Sequence, residues 1–155
     1  MPHVSMEYAI MVPVLLVQVI LIPVATGWMM DVWVVKRRET ALQDVASHMG
    51  TTIQQLYFSL DREEIAAGTT TQTTNVPPFV ESIPYIVTAS DTRIGNTTLV
   101  DLHLALMGTD IAVTSRVTLG PNVLWEQTTF VSDSTSASIQ VQKFSNDTLS
   151  FSFGS

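Results

Sequence analysis

The sequence contains no cysteine, and this absence removes several classes of protein from consideration. Without thiols the chain forms no disulfide framework, no thiolate metal site and no cysteine nucleophile. Basic residues are also scarce, because seven Lys and Arg stand against fourteen Asp and Glu and give a net charge of −7. Three of the seven stand together at Lys36-Arg37-Arg38. So few scattered cations in an acidic chain argue against nucleic acid as a partner.

Sequence motifs of enzymatic chemistry are absent as well. There is no Gly-x-Ser-x-Gly turn, no glycine-rich phosphate loop and no His-Glu-x-x-His helix. None of the histidines His3, His48 and His103 has a second histidine at ligand spacing. We therefore predict a protein that is not an enzyme, with no catalytic residue, no metal site and no cofactor apart from candidate N-linked glycans.

The main positive feature is an apolar run from Tyr8 to Val35, in which 28 residues carry one charge, Asp31. This run exceeds the roughly 20 residues that span a bilayer. We expect residues 8–35 to be a helix in lipid or in a packed bundle, because only a helix satisfies its own backbone in a dry environment. Pro13, Pro23 and Gly27 are candidate positions for a bend or a melted turn, or they are simply tolerated there.

The charges that flank this run give conflicting indications of its orientation. Lys36-Arg37-Arg38 follow the run and would favour a cytoplasmic position for the C-terminal part. The Thr/Ser-rich C-terminal part favours the outside, because it carries two acceptor sequons that predict N-glycosylation at Asn96 and Asn146. The conflict disappears if a basic leader is removed from the precursor, or if the run is not a permanent membrane anchor.

Residues 36–66 have the pattern of an amphipathic helix that continues the apolar one. Apolar residues recur at steps of three and four: Leu42, Val45, Met49, Ile53 (or Thr52), Leu56 and Leu60. We expect this helix to end at Ala66-Ala67-Gly68 and to complete a helical region of residues 1–67.

A second region follows, in which the hydrophobic period changes from helical spacing to two. We expect a Thr/Pro-rich linker at 68–82 and then six short strands in residues 83–155, separated by turns. The predicted fold class is therefore α+β, with one long N-terminal helix and a C-terminal antiparallel β-sandwich head of the Ig-like type.

The N-terminal residues His3-Val4-Ser5-Met6-Glu7, followed by Met11, resemble the archaeal type IV pilin signature Gln-x-Ser-x-Glu-x-x-x-Leu. Ser5 and Glu7 match this signature, whereas His3 replaces Gln and Met11 replaces Leu. The resemblance implies that a prepilin peptidase cuts before His3, which makes Glu7 the fifth residue of the mature chain. A carboxylate there can pair with a neighbouring subunit's free α-amine and set the axial register of packed helices.

The resemblance also implies a function and a set of partners. The chain would be the structural subunit of an extracellular, type IV pilus-like filament, a homo-oligomer whose heads make surface contact or adhere. It would wait in the cytoplasmic membrane until an assembly ATPase and platform extract it. The alternative is a cell-surface protein with one permanent membrane helix and a small Ig-like binding ectodomain, in which Glu7 is dispensable.

Overall fold

A computed structural model describes residues 3–62 and 64–154, with side chains at residue 8 and from residue 10 onward in those ranges. The chain divides into two compact units, Met1–Arg37, here called the apolar unit, and Arg38–Ser155, here called the head unit. The elements are one helix and eight strands in the described residues: α1 His3–Leu60, β1 Gly68–Thr73, β2 Tyr85–Ile94, β3 Thr97–Leu106, β4 Ala112–Leu119, β5 Val123–Trp125, β6 Thr129–Val131, β7 Ser138–Lys143 and β8 Leu149–Gly154.

The strands of the head unit form two four-stranded sheets, with the orders β1-β7-β8-β5 and β4-β3-β2-β6. Neighbouring strands are antiparallel except β5 and β8, which pair in parallel through three residues. A long N-terminal helix followed by two mostly antiparallel sheets confirms the α+β class. The sequence predicted six strands in residues 83–155, where the structure has seven, and an eighth, β1, lies in the segment expected to be a linker. The strands β5 and β6 have three residues each and are too short to show an alternating pattern.

The alternation predicted from the sequence is clearest in β3. Its side chains at Val100, Leu102 and Leu104 are fully buried, while those between them lie on the more accessible face of the sheet. The hairpin from β2 to β3 closes through two residues, because Ile94 pairs with Thr97. Gly95 has a φ of 61°, which suits the first position of a tight hairpin turn and strains a residue with a side chain.

An aromatic cluster joins the two sheets in the core of the head unit. Trp125 of β5 stacks on Phe151 of β8 with ring centroids 5.8 Å apart, and it meets the edge of Phe153 at 5.1 Å. Phe153 in turn meets Phe130 of the second sheet at 5.7 Å. Large aromatic side chains remove much apolar surface from water, so this cluster fixes the sheets to each other.

The C-terminal half of α1 belongs to this core. The stripe that is buried consists of Leu42, Val45, Ala46, Met49, Ile53, Tyr57 and Leu60. Ile53, not Thr52, is therefore the inward residue. Leu56 is half-buried against the core, as expected, and Tyr57 beside it is buried. The helix lies close to β4, because a Cβ added at Gly50 would come within 3.0 Å of the Val117 Cγ2 methyl group.

The helix ends at Leu60, earlier than the Ala66 expected from the sequence. The physical reason is a lysine from a distant strand, since Lys143 Nζ donates to the carbonyl oxygens of Leu60 at 3.0 Å and Arg62 at 2.7 Å. Helices leave their last carbonyls without partners, and a cation there also interacts favourably with the helix dipole. The glycine at position 68 opens β1 and does not cap the helix.

The segment expected to be a linker, residues 68–82, is part of the head. Its first residues form β1, which pairs with β7 from Gly68↔Lys143 to Thr73↔Ser138. Two hydroxyl groups hold the adjacent prolines at the end of this segment. The Tyr85 hydroxyl donates to the Pro77 carbonyl at 2.9 Å. Ser132 Oγ donates to the Pro78 carbonyl at 2.7 Å. Burial raises the pKa of Tyr85 to about 12, so its hydroxyl remains a donor.

Candidate assembly segment

The apolar unit exposes the hydrophobic residues that a soluble domain would bury. Every side chain that the structure describes between Tyr8 and Arg37 is exposed, and values reach 69% at Ile10 and 74% at Trp33. An 18-residue window of α1 has a mean hydropathy of 2.3, and none of it is buried. By length and composition this helix is apolar enough to cross a membrane. A contiguous apolar surface of this size indicates an interaction with lipid or with protein.

The residues that carry the pilin-like motif lie at the start of α1. The backbone of Ser5 and Glu7 is helical, but their side chains lie outside the described residues. The pairing of Glu7 with a neighbouring α-amine therefore stays a prediction, as does the role of Ser5.

Pro13 and Pro23 lie inside α1, and the helix continues through both. Pro23 has no N–H to offer the carbonyl of Val19, one turn earlier. The Thr26 hydroxyl donates to the Ile22 carbonyl at 2.7 Å, a side-chain bond of the kind that loosens the backbone ladder. A bend or melted turn at Pro13, Pro23 or Gly27 stays a prediction for the assembled state.

The end of the apolar segment carries a shallow groove of about 300 Å³. It is lined by Trp28, Asp31, Val32, Val35 and Lys36. Asp31 forms neither a hydrogen bond nor an ion pair with any residue that the structure describes. An unpaired carboxylate on an otherwise apolar helix is costly in a dry environment, so it marks a place where a partner is expected.

The two sequons differ in how much of each the folded head presents. Asn96 is exposed in the β2–β3 turn, but Thr98 is only 1% exposed, and its buried hydroxyl has no hydrogen-bond partner among the described residues. In the second sequon Asn146 is exposed and Thr148 is half-buried. Because the sequon requires the hydroxyl residue as well as the asparagine, the folded head presents Asn146 more completely than Asn96.

Two ion pairs of the head unit were not predicted from the sequence. Arg38 Nε lies 2.9 Å from Glu81 Oε2 and ties the first turn of the helix in the head unit to a loop. Arg116 donates to both Asp101 carboxylate oxygens, at 2.6 and 2.9 Å, across the β3–β4 pair. The hydrogen bond from Arg116 lowers the pKa of Asp101 below its ordinary value. Only the strand register, which the sequence does not give, could have revealed this pair.

Within the part of the chain that the structure describes, no three His, Asp or Glu side chains come together as a metal site. His103 Nδ1 instead lies 3.2 Å from Thr114 Oγ1 on the accessible face of a sheet. Comparison with protein-family models, with curated proteins and with solved structures finds no match to this chain.

Proposed function

We propose that this protein is the structural subunit of an extracellular, type IV pilus-like filament, which polymerises through residues 8–35 and displays the head unit outside. The observation that carries the proposal is the contrast in burial along α1. The helix contributes a buried stripe to the head from Leu42 onward, whereas every described side chain from Tyr8 to Arg37 is exposed. The head unit has a complete core without this segment, so the segment is free to bind sister helices.

Assembly would follow from the physical chemistry of that surface. Before assembly the segment lies in the membrane, which its length and hydropathy allow. In the filament the same side chains pack against copies of themselves, and Glu7 of one subunit pairs with the α-amine of the next. We propose that the head is an Ig-like sandwich that makes the surface contacts. Of its two sequons, we expect Asn146 to be glycosylated more completely than Asn96. This function needs no catalytic centre.

The proposal is tested by shearing surface material from cells that produce the protein. We expect long, detergent-resistant fibres that contain this chain. The intact mass of their subunits should correspond to a chain that begins at His3. Recovery of the chain solely as monomers in detergent extracts of membranes would overturn the proposal and favour the permanently anchored surface protein.

The residue-level test is Glu7→Gln, with Glu7→Asp as the matched control. Removing the charge should reduce fibre yield by roughly tenfold or more, because it leaves a buried amine unpaired. The shorter carboxylate should keep a substantial part of the yield. Equal fibre yield from both variants would remove the role in axial register that we assign to Glu7.

A further inference from the structure

The polar end of the apolar unit carries two features, four residues apart, that an adjacent copy of the helix would complete. One is Asp31, a charge without a partner in the described chain. The other is Gly27, where an added Cβ would meet no atom within 4 Å. Since residues four apart lie one above the other on a helix, Gly27 and Asp31 form one face with a gap and a negative charge.

A second face of the same segment carries the complementary pair. Trp33 and Arg37 are also four residues apart, and both side chains are exposed, although Arg37 also has an interaction within its own chain. Trp33 is the most exposed large hydrophobic residue of the segment, at 74%. This face therefore offers a large aromatic side chain and a positive charge at the same spacing as the gap and the negative charge.

One axial shift brings both pairs together. Trp33 lies six residues after Gly27, and Arg37 lies six residues after Asp31, so a parallel neighbour displaced by six residues presents both partners. Six residues correspond to about 9 Å along a helix. The two faces lie about 120° apart around the axis, because successive helical residues turn by about 100°.

We infer that residues 24–37 dock onto a second copy of this chain, with Trp33 in the gap at Gly27 and Arg37 paired to Asp31. Because the contact joins two different faces and advances along the axis, its repetition gives an open helical stack and not a closed dimer. The inference rests on the proposed function, which requires all helices to be parallel. It also gives Arg37, part of a basic cluster that fits poorly as a determinant of membrane orientation, a role in assembly.

The decisive experiment uses the absence of cysteine from the chain. Val24 and Met30 belong to the same two faces and are again six residues apart. The variant Val24→Cys with Met30→Cys therefore keeps all four contact residues. Within one helix these positions lie about 9 Å apart along the axis, too far for a disulfide. Mild oxidation of sheared filaments should give a ladder of dimers, trimers and higher multimers on denaturing gels.

The controls separate this inference from the filament proposal. Each single cysteine variant should stay monomeric, and so should Val24→Cys with Val34→Cys, whose spacing of about 15 Å misses the shift. If the wild type forms filaments but Val24→Cys with Met30→Cys gives no ladder, the inference is wrong and the filament proposal is unaffected. A single variant that forms dimers would show a symmetric contact and would also overturn it. If wild-type cells yield no filaments, both proposals are wrong.

Exchanging the charges of Asp31 and Arg37 is an independent test. Filament yield is compared between variants whose subunits are present in the membrane in equal amounts. Asp31→Arg or Arg37→Asp alone should lower filament yield by roughly tenfold or more, because each leaves two like charges facing each other in a dry contact. The double variant should recover to within roughly threefold of wild type, since it restores the pair with its charges exchanged. Single variants with normal yield, or a double variant without recovery, would contradict the pairing.

Discussion

The two units of this chain use similar apolar residues in opposite ways. In the head unit the side chains of Leu102, Leu104 and Leu106 are at most 2% exposed. In the apolar unit Leu15, Leu16 and Leu21 are 54 to 59% exposed. Hydrophobic burial is the main favourable contribution to folding. The head therefore draws its stability from its own chain, whereas the apolar unit depends on lipid or on other chains.

Polar groups differ between the units in the same way. In the head unit the ammonium group of Lys143, which is 5% exposed, has three oxygen partners: the carbonyls of Leu60 and Arg62 and a carboxylate oxygen of Asp147. In the apolar unit Asp31 has no partner among the described residues. Buried polar groups in a finished structure are almost always paired. The head thus pairs its most deeply buried charge within its own chain, whereas the charge of Asp31 in the apolar unit is exposed and has no partner among the described residues.

The largest effect should come from shortening the same residue type in each unit. Leu104→Ala should lower the free energy of unfolding of the head by about 3 kcal/mol, because it opens a cavity in a closed core. Leu16→Ala, at 58% exposure, should change that free energy by less than about 0.5 kcal/mol. Both are measured on the full chain in a non-ionic detergent, by urea unfolding followed through amide exchange of the sheets. Equal destabilisation by the two variants would show that the units are not energetically separate.

A smaller loss is expected from the lysine that ends the helix. Lys143→Met should destabilise the head by about 2 kcal/mol, since the carbonyl of buried Leu60 loses the Lys143 donor, while that of Arg62 keeps the Ile65 N–H. Amides of the last turn of α1 should exchange faster than in wild type. Arg93→Met removes an exposed cation as a matched control and should leave stability nearly unchanged. Similar melting temperatures for the two variants would contradict the role given to Lys143.

Much of the fold could be predicted from the sequence because it rests on periodicity. Steps of three and four residues located the buried stripe of α1, and alternation located β3, since both follow directly from helix and strand geometry. The end of the helix could not be found in this way. It depends on Lys143, which lies far along the chain and reaches Leu60 only after the sheets have formed.

The candidate site was predictable to a lesser extent. The length and hydropathy of residues 8–35 identified the segment, and the structure leaves its described side chains exposed. The segment predicted to be a linker contains the strand β1. Its residues Thr69, Thr70 and Thr71 are exposed and show no alternation. Its strand conformation comes from pairing with β7, a long-range contact. Local patterns thus report burial against the chain itself, and they miss structure that depends on distant pairing.

The smallest effect concerns the ion pair on the accessible face of β3 and β4. Arg116→Gln should weaken the head slightly, because exposed pairs contribute little even with two hydrogen bonds. The pKa of Asp101 is lowered in the folded state, so the pair stabilises above the ordinary aspartate pKa of about 4. That stabilisation is lost as the pH falls through the lowered value.

This pH dependence is measured as the difference in urea midpoint between wild type and Arg116→Gln, at neutral pH and at stepwise lower pH. The difference should be present at neutral pH and should disappear under acid conditions in which Asp101 is protonated in both states. Arg93→Gln is the matched control, because Arg93 faces Thr98 across the strands and has no carboxylate opposite. A difference that stays constant with pH would show that Arg116 acts through packing of its stem on the sheet and not through the charge of Asp101.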